Sequence, residues 1–274
     1  ADVTLYGLVD YGFSYQHSDG DAQADAEDSF TMKSGMNSGS RFGLKGTEDL
    51  GNGLKVGFVL ENGFDADDGT FDSNGDDRIF GREASLHLTG AFGEIAFGRM
   101  GALTSPFGHW GIFGLEATPF GFGWGRSGGV HWMVGGDRLD NTISYASPKF
   151  GPGVQLYAQY SFQTGTNPVP GVENAKERHN TRRASIAFRI KNESLTTVGT
   201  LDRIMNTHNS PADYGEDTTI GSLTVNFPVV KDVRLFVMGQ YFRNVYNAPG
   251  TPVHSPVKLI GTANLGADNL SLIH

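Results

Sequence analysis

The chain has 274 residues, and this length does not require a second domain, because all-β barrels of this size fold as one unit. Glycine is abundant at 39 residues and aromatic residues make up 11% of the chain, a composition typical of β structure. The absence of cysteine excludes disulfides and thiolate chemistry, and a net charge of −9 argues against a nucleic-acid partner. We therefore expect a single all-β domain over residues 1–274.

Alternating apolar and polar residues predict about twelve strands. In the first, Val3, Leu5 and Val9 share one face with Tyr11 and Phe13. Taken in chain order, the predicted strands span residues 3–16, 30–48, 52–64, 78–90, 92–99, 138–147, 154–163, 183–190, 195–205, 217–227, 231–243 and 256–266.

Strand length favours a membrane barrel over a soluble sandwich, although alternation alone fits both. Many of the predicted strands have the ~9 to 13 residues that a tilted strand needs to cross a bilayer, and no apolar run is long enough for a spanning helix. Aromatic pairs such as Tyr160 with Phe162 suit the interfacial girdles of a barrel. The start at Ala1 without a basic, apolar leader leads us to expect a mature product whose signal peptide has been removed.

The predicted connections alternate between short and long. Residues 48–52 and 90–93 are tight turns, whereas residues 19–30, 65–77 and 101–137 are long. Short turns on one rim and long loops on the other are typical of outer-membrane barrels. The longest connection carries Trp110, Trp124 and Trp132, which we expect to pack within the loop rather than to form a sugar-stacking track.

Three motifs carry a resemblance to a known family. They are SRFGLKGTEDLGNGLK at residues 40–55, GREA at 81–84 running to AFGEIAFGR at 91–99, and NTISYASP at 141–148. With the opening VTLYG at residues 3–7, they resemble the trimeric general porins of Gram-negative bacteria, particularly the betaproteobacterial branch. The resemblance covers roughly the first 165 residues.

The resemblance implies a transmembrane antiparallel β-barrel of sixteen strands in the bacterial outer membrane. Residues 101–137 would be the long external loop that folds inward and narrows the pore. The implied partners are outer-membrane lipid and lipopolysaccharide, two further copies in a homotrimer, and small hydrophilic solutes and ions. The family's chains end in an aromatic residue, whereas this sequence stops at His274, so we expect about four further strands beyond it.

Arg41 and Arg138 are the principal candidates for the pore constriction. In the resembled family, arginines on the wall face acidic or carbonyl groups of the inward loop, and both residues match such positions. The alternation of the strands agrees with this: Arg41 is on the opposite strand face from Phe42, and Arg138 is on the same strand face as Thr142 and Ser144. We expect both side chains to face an aqueous lumen.

Four further charged residues complete the candidate constriction. Lys45 shares the phase of Arg41, and Glu61 points inward by the alternation of its strand. Arg82 matches a family arginine but shares the phase of outward apolar residues, which requires a bulge or an interface. Glu116 is the only carboxylate within residues 101–136, and we expect it to be the acidic partner on the loop.

No cofactor is predicted. The acidic run from Asp65 to Asp77 could bind calcium weakly, but its spacing does not match an EF-hand, and a solvated loop is favoured. Such loops would enrich cations at the external mouth.

The sequence predicts passive diffusion of small hydrophilic solutes without catalysis, since neither G-x-S-x-G nor H-E-x-x-H occurs. A channel specific for sugars or organic anions is the alternative, and a soluble β-sandwich lectin is a weaker one.

Overall fold

The computed structural model describes residues 2–18, 27–71, 78–117, 134–164, 181–205, 217–231, 233–246, 252–253 and 271–273. The strands are β1 (Asp2–Leu8), β2 (Tyr11–Ser18), β3 (Glu27–Ser34), β4 (Arg41–Gly51), β5 (Leu54–Gly63), β6 (Glu83–Gly90), β7 (Gly93–Gly101), β8 (Arg138–Ala146), β9 (Val154–Ser161), β10 (Arg182–Lys191), β11 (Thr196–Met205), β12 (Thr218–Val230), β13 (Val233–Arg243), β14 (Val245–Tyr246), β15 (Pro252–Val253) and β16 (Ser271–Ile273). One short helix, α1 (Ile112–Ala117), follows β7.

Twelve of the strands form one antiparallel sheet in the order β1-β4-β5-β6-β7-β8-β9-β10-β11-β12-β13-β16. From β4 to β13 each strand pairs with the next strand in the chain, so this part of the sheet is an up-and-down meander. Separate two-stranded sheets join β2 to β3 and β14 to β15. The predicted all-β, antiparallel architecture is confirmed.

Two of the predicted strands are wrong in extent, because each is broken in the middle. The stretch 3–16 divides into β1 and β2, and the stretch 30–48 divides into β3 and β4. The carboxylate of Asp10 accepts hydrogen bonds from the backbone N–H groups of Asn37 and Ser38, which satisfies these groups without a neighbouring strand. This local cap turns the chain between β3 and β4.

The other predicted strands agree with the structure to within a few residues, apart from β6. That strand begins at Glu83 rather than at residue 78. The predicted strand 256–266 lies outside the described residues. No helix among the described residues has the length and hydropathy to cross a membrane.

The connections alternate as predicted where they are described. Turns of a few residues join β4 to β5, β6 to β7, β10 to β11 and β12 to β13, and they all lie at one rim of the sheet. The tight turn between β4 and β5 places Asn52 at a φ of 53°, a conformation that asparagine tolerates. Longer connections leave the opposite rim, which we call the long-connection rim.

The sheet has an apolar outward face and a polar inward face. The outward face carries apolar side chains that stay exposed in the single chain: Leu86, Phe97, Ile143, Leu156, Ile186, Leu201 and Leu223. The inward face carries buried polar side chains: Thr142, Ser144, Gln159, Ser185, Asp202, Ser222, Thr224 and Gln240. This distribution is the reverse of that in a soluble protein, where apolar side chains fill the interior.

The first part of the long connection after β7 packs on the inward face. Leu103, Trp110, Ile112 and Phe113 are almost completely buried. They form a compact apolar cluster with residues of the strands, namely Ala96, Met100, Ala146, Tyr157, Val198 and Met238. The cluster therefore lies between this segment and the sheet, and it holds α1 close to the wall formed by β11, β12 and β13.

Candidate functional site

Glu61 is the centre of a charged cluster on β4, β5 and β6, close to the long-connection rim. Its carboxylate accepts hydrogen bonds from Arg82 Nε at 2.7 Å and from the Tyr6 hydroxyl at 2.8 Å. Arg41 Nε lies 3.9 Å from the same carboxylate. Tyr6, Arg41 and Glu61 all project from the inward face, since Tyr6 pairs with Gly43 and Gly43 pairs with Glu61. Two guanidinium groups therefore share one carboxylate.

Arg82 joins this cluster because it precedes the first regular residue of β6. Its backbone N–H donates to the carbonyl of Glu61, and its side chain turns toward the Glu61 carboxylate. The alternation of β6, which would have placed Arg82 outward, does not apply before Glu83. This resolves the conflict between the motif and the alternation.

Lys45 lies beside the cluster on the inward face of β4. Its ammonium group is 5.3 Å from the centroid of the Tyr6 ring, a cation–π contact. Between Lys45 and the rim that carries the short turns, a recess of about 590 Å³ is lined in part by charged and imidazole side chains: Lys45, Lys55, Glu83, His87, Glu94 and His109. The inward face near β4 to β7 is thus strongly polar and open.

Arg138 does not follow the alternation of its strand. Asn141 has a φ of 49°, and the pairing of β7 with β8 shifts register between Gly98 and Met100. The phase shared by Thr142 and Ser144 is therefore interrupted before it reaches Arg138. The guanidinium of Arg138 lies 3.9 Å from the centroid of the Phe107 ring, in the connection after β7.

Glu116 lies on a different part of the wall from Arg41. Its carboxylate is 2.6 Å from Lys191 Nζ on β10, and its carbonyl accepts a hydrogen bond from the Asn226 side chain on β12. The structure thus brings Arg41, Arg82 and Glu61 together, with Lys45 linked through Tyr6. It places Glu116 against β10 and β12 instead.

A sequence profile described as Gram-negative porin matches residues 1–264. This match covers nearly the whole chain. The chain belongs to the Gram-negative porin family.

Individual relatives agree with this assignment. An outer membrane porin of Bordetella pertussis is 34% identical over 84% of this chain, and the match spans 62% of that porin. Outer membrane porin protein 32 of Delftia acidovorans is 37% identical over 55% of this chain and 41% of its own length. The chain thus spans less than two thirds of the length of these relatives.

Solved porin structures share the fold. A Salmonella typhi OmpF complex superposes with a TM-score of 0.58 at 16% identity, covering 88% of this chain and 66% of that one. The outer membrane channel DcaP of Acinetobacter baumannii gives 0.55 at 17% identity, covering 89% and 64%. The antiparallel sheet described here therefore has the same fold as these two structures.

A buried ion pair fastens the inward segment of this porin to its wall, and sequence reasoning did not single it out. Arg183 and Asp202 are 2.8 Å apart, with side-chain exposures of 1% and 0%. The Thr104 hydroxyl donates to Asp202 at 2.9 Å and accepts from Arg183 at 2.8 Å. Arg183 also donates to the carbonyl of Gly135, so the pair contacts both ends of the long connection. The alternation of β10, which places Arg183 on the inward face, was the sequence signal that could have identified this pair.

Glutamine side chains add two further attachments to the porin wall. Gln159 accepts from the N–H of Leu103 and donates to the carbonyl of Gly101. Gln240 accepts from the N–H of Val134 at 2.9 Å and donates to its carbonyl at 3.1 Å. Leu103 and Val134 lie outside the strands, so these hydrogen bonds satisfy backbone groups that no strand pairs and fix the segment on the inward face.

Glu94 links the connection after β7 to the wall of the porin, near the rim that carries the short turns. Its carboxylate lies 2.7 Å from His87 Nδ1 on β6 and 3.0 Å from His109 Nε2 in the connection. Trp110, next to His109, packs edge-on against Tyr157 and is 1% exposed. Trp110 was expected to pack within the loop, and it is buried, but it packs against Tyr157 of the wall; Trp124 and Trp132 lie outside the described residues.

A second arginine cluster was missed, although Arg99 is the last residue of the quoted motif at 91–99. Arg78 donates to both carboxylate oxygens of Asp140, at 2.7 and 2.8 Å. Arg99 donates to the same carboxylate at 2.5 Å and to the carbonyl of Gly81. The Asp140 carboxylate on β8 thereby links the segment before β6, through Arg78, to the end of β7, through Arg99.

The acidic connection after β5 is described except for residues 72–77. In its first part, the hydroxyl and N–H of Thr70 donate to Asp68, which holds the pKa of that carboxyl below its usual range. Within the described ranges, no group of three or more histidine or carboxylate side chains is placed to hold a metal ion. Asp72, Asp76 and Asp77 of the proposed calcium run lie outside them.

Proposed function

We propose that this porin is the wall of an outer-membrane channel through which small hydrophilic solutes and ions diffuse passively. The observation that supports the proposal most strongly is the reversed distribution of side chains, with Leu201 half exposed outward and its neighbour Asp202 fully buried inward. In a bilayer the outward apolar band contacts lipid, and the inward polar face borders water. The names of the relatives, which are outer membrane porins, agree with this location.

The constriction of the proposed channel lies beside the Glu61 cluster. Arg41, Arg82 and Lys45 supply three positive charges against two carboxylates, those of Glu61 and of its cross-strand partner Glu83. This local excess favours anions at that level, while Arg138 and Glu116 would act on the field from the loop side. Acidic connections such as Asp65 to Asp68 would attract cations to the external mouth. We expect the two effects to oppose each other and to give mild selectivity.

The partners of the channel are proposals as well. The family resemblance supports a homotrimer in which part of the outward face contacts neighbouring copies, and the remainder contacts outer-membrane lipid and lipopolysaccharide. Solutes would interact with the inward face alone. Family membership supports a channel rather than an enzyme or a lectin, and the burial of Trp110 removes one residue from the alternative sugar track.

Planar-bilayer conductance under a salt gradient tests this function. We expect ohmic, trimer-like current steps and a reversal potential that shifts toward cations in Arg41→Gln. Lys231→Gln removes the same charge from the exposed turn after β12 and serves as the matched control, with no comparable shift. A detergent-solubilised protein that never conducts would contradict the channel. Equal reversal potentials for Arg41→Gln and the wild type would contradict the constriction.

A further inference from the structure

A shallow trough runs across the outward face between β8 and β11. It has a volume of about 660 Å³ and is bordered by apolar side chains: Ile143, Tyr145, Tyr160, Phe162, Ile186 and Leu201. Two small residues, Ala158 and Ala184, form its floor. Within this part of the outward face, the surface is therefore concave.

Strand register explains the shape of the trough. One cross-strand row places Ala184 between Tyr160 and Arg203, and the next row places Ala158 between Tyr145 and Ile186. The two alanines are diagonal neighbours, since they lie on adjacent strands in adjacent rows. Neighbouring strands are about 4.8 Å apart, so replacing two large side chains by methyl groups leaves a diagonal channel about one hydrocarbon chain wide.

Positive charge borders the trough at the long-connection rim. Arg203 and Arg243 both pair with Thr219, so the three residues form one row on the outward face. Arg203 donates to Asp217 and Thr219, but it is 56% exposed, and an exposed pair of this kind is weak. Arg182 begins β10 in the same outward phase. Among the residues that the structure describes here, Arg203 and Arg243 share the row beside a single carboxylate, Asp217, which leaves this part of the patch complementary to an anion.

Aromatic side chains mark the same level. Tyr160 and Phe162 pack edge to face with ring centroids 4.9 Å apart, at the end of β9 beside the long-connection rim. Aromatic residues at a strand end suit the boundary between hydrocarbon and head groups. The arginines therefore lie at head-group level with Ala184, which shares the row of Tyr160 and Arg203, and Ala158 lies one row further from the long-connection rim, toward the hydrocarbon.

We propose that this trough binds one acyl chain of an acylated, phosphate-bearing lipid of the external leaflet, with the phosphate at Arg203 and Arg243. The inference rests on the proposed function, because it requires the outward face to contact the bilayer. The guanidinium groups supply bidentate donors for phosphate oxygens, and the alanine floor accepts the chain. The trough is thus a lipid site, separate from the aqueous path.

Native mass spectrometry of the detergent-solubilised protein, titrated with diphosphorylated lipid A, tests the site. We expect Ala158→Phe/Ala184→Phe, which fills the trough, and Arg203→Gln/Arg243→Gln, which removes the phosphate partners, each to weaken binding about tenfold or more. Removal of the lipid's phosphates should weaken binding to the wild type but not to the arginine variant. Val56→Phe on the outward face of β5 and Lys231→Gln at the opposite rim are the matched controls.

Wild-type lipid affinity in the trough-filled variant would overturn the proposal, as would equal affinity for lipid A without phosphates. A change in the mass of the oligomer in that variant would also overturn it, because the occupant would then be a second copy of the chain. All four variants should conduct like the wild type. A wild-type protein that does not conduct would contradict the proposed function, and the lipid titration would still show whether the trough binds lipid.

Discussion

Arg183 and Asp202 show how a single residue pair positions the inward segment. A buried ion pair is weak support for stability by itself, but losing one partner leaves an uncompensated charge in a place without water. Here the pair also binds Thr104 and Gly135. The geometry of the connection therefore depends on both charges being present.

We expect Arg183→Met to lower the free energy of unfolding by about 3 to 5 kcal/mol and to make the open-channel current noisier. The double variant Arg183→Met/Asp202→Leu should recover much of the stability, since no buried charge remains. Lys191→Met breaks the exposed pair with Glu116 and should cost only about 0 to 1 kcal/mol. Denaturant unfolding in detergent gives the stabilities. Equal losses for Arg183→Met and Lys191→Met would contradict this role.

Glu61 has an electrostatic role that is also testable at the level of one residue. Glu61→Gln removes the carboxylate that Arg41 and Arg82 share, so the reversal potential in a salt gradient should shift toward anions. Glu193→Gln makes the same charge change in the exposed turn between β10 and β11, and it should cause little shift. An unchanged reversal potential in Glu61→Gln would show that this cluster does not border the ion path.

At the scale of the strand, the regular elements were predictable and the irregular ones were not. Alternation located β5 and β7 to β13, because their phase continues without interruption over most of their length. It failed where a local hydrogen bond competes with pairing, as at the Asp10 cap, and where Asn141 interrupts β8. A single side chain decides such interruptions, and a two-residue period contains no signal for them.

The same limit applies to the candidate site. The motif placed Arg41 and Arg82 near each other, and alternation placed Glu61 on the inward face. Neither could find Arg78 with Asp140, or Arg183 with Asp202, because these contacts depend on strand register and on the path of the connections, which alternation does not describe. The position of Glu116 depends on the path of the connection after β7, which alternation does not describe.

Gly98 lies where the pairing of β7 with β8 becomes irregular because β8 contributes one extra residue. Its φ is 120°, and a β-carbon there would collide with the carbonyl oxygen of Ala84 on β6. We expect Gly98→Ala to destabilise the protein by about 2 kcal/mol or more. Gly221→Ala is the matched control, since nothing lies within 4 Å of an added β-carbon there, and it should change stability by less than about 0.5 kcal/mol. Similar unfolding curves for the two variants would show that the position of Gly98 does not require glycine.

At the scale of the whole molecule, the proposed channel requires that the outward face contacts lipid and that the inward face contacts water. A charge placed on a lipid-facing position near the middle of the bilayer costs about 2 to 4 kcal/mol, whereas the lumen tolerates charge. Leu223→Arg on the outward face of β12 should therefore destabilise the protein by that amount in lipid vesicles. Thr47→Arg on the inward face of β4 should change stability by less than about 1 kcal/mol. Equal costs would mean that the two faces contact similar surroundings.

The absence of native cysteine makes the central claim directly measurable, because one introduced cysteine gives one labelling site. Spin labels would be placed outward at Ile186, Leu201 and Leu223 and inward at Lys45, Thr47 and Thr89, with the protein in lipid vesicles. Collision rates with oxygen, which concentrates in hydrocarbon, and with a water-soluble nickel complex report the surroundings of each label. The account predicts high oxygen and low nickel collision rates at the outward positions, and the reverse at the inward ones. Outward labels shielded from both reagents, as in a packed interior, would contradict it.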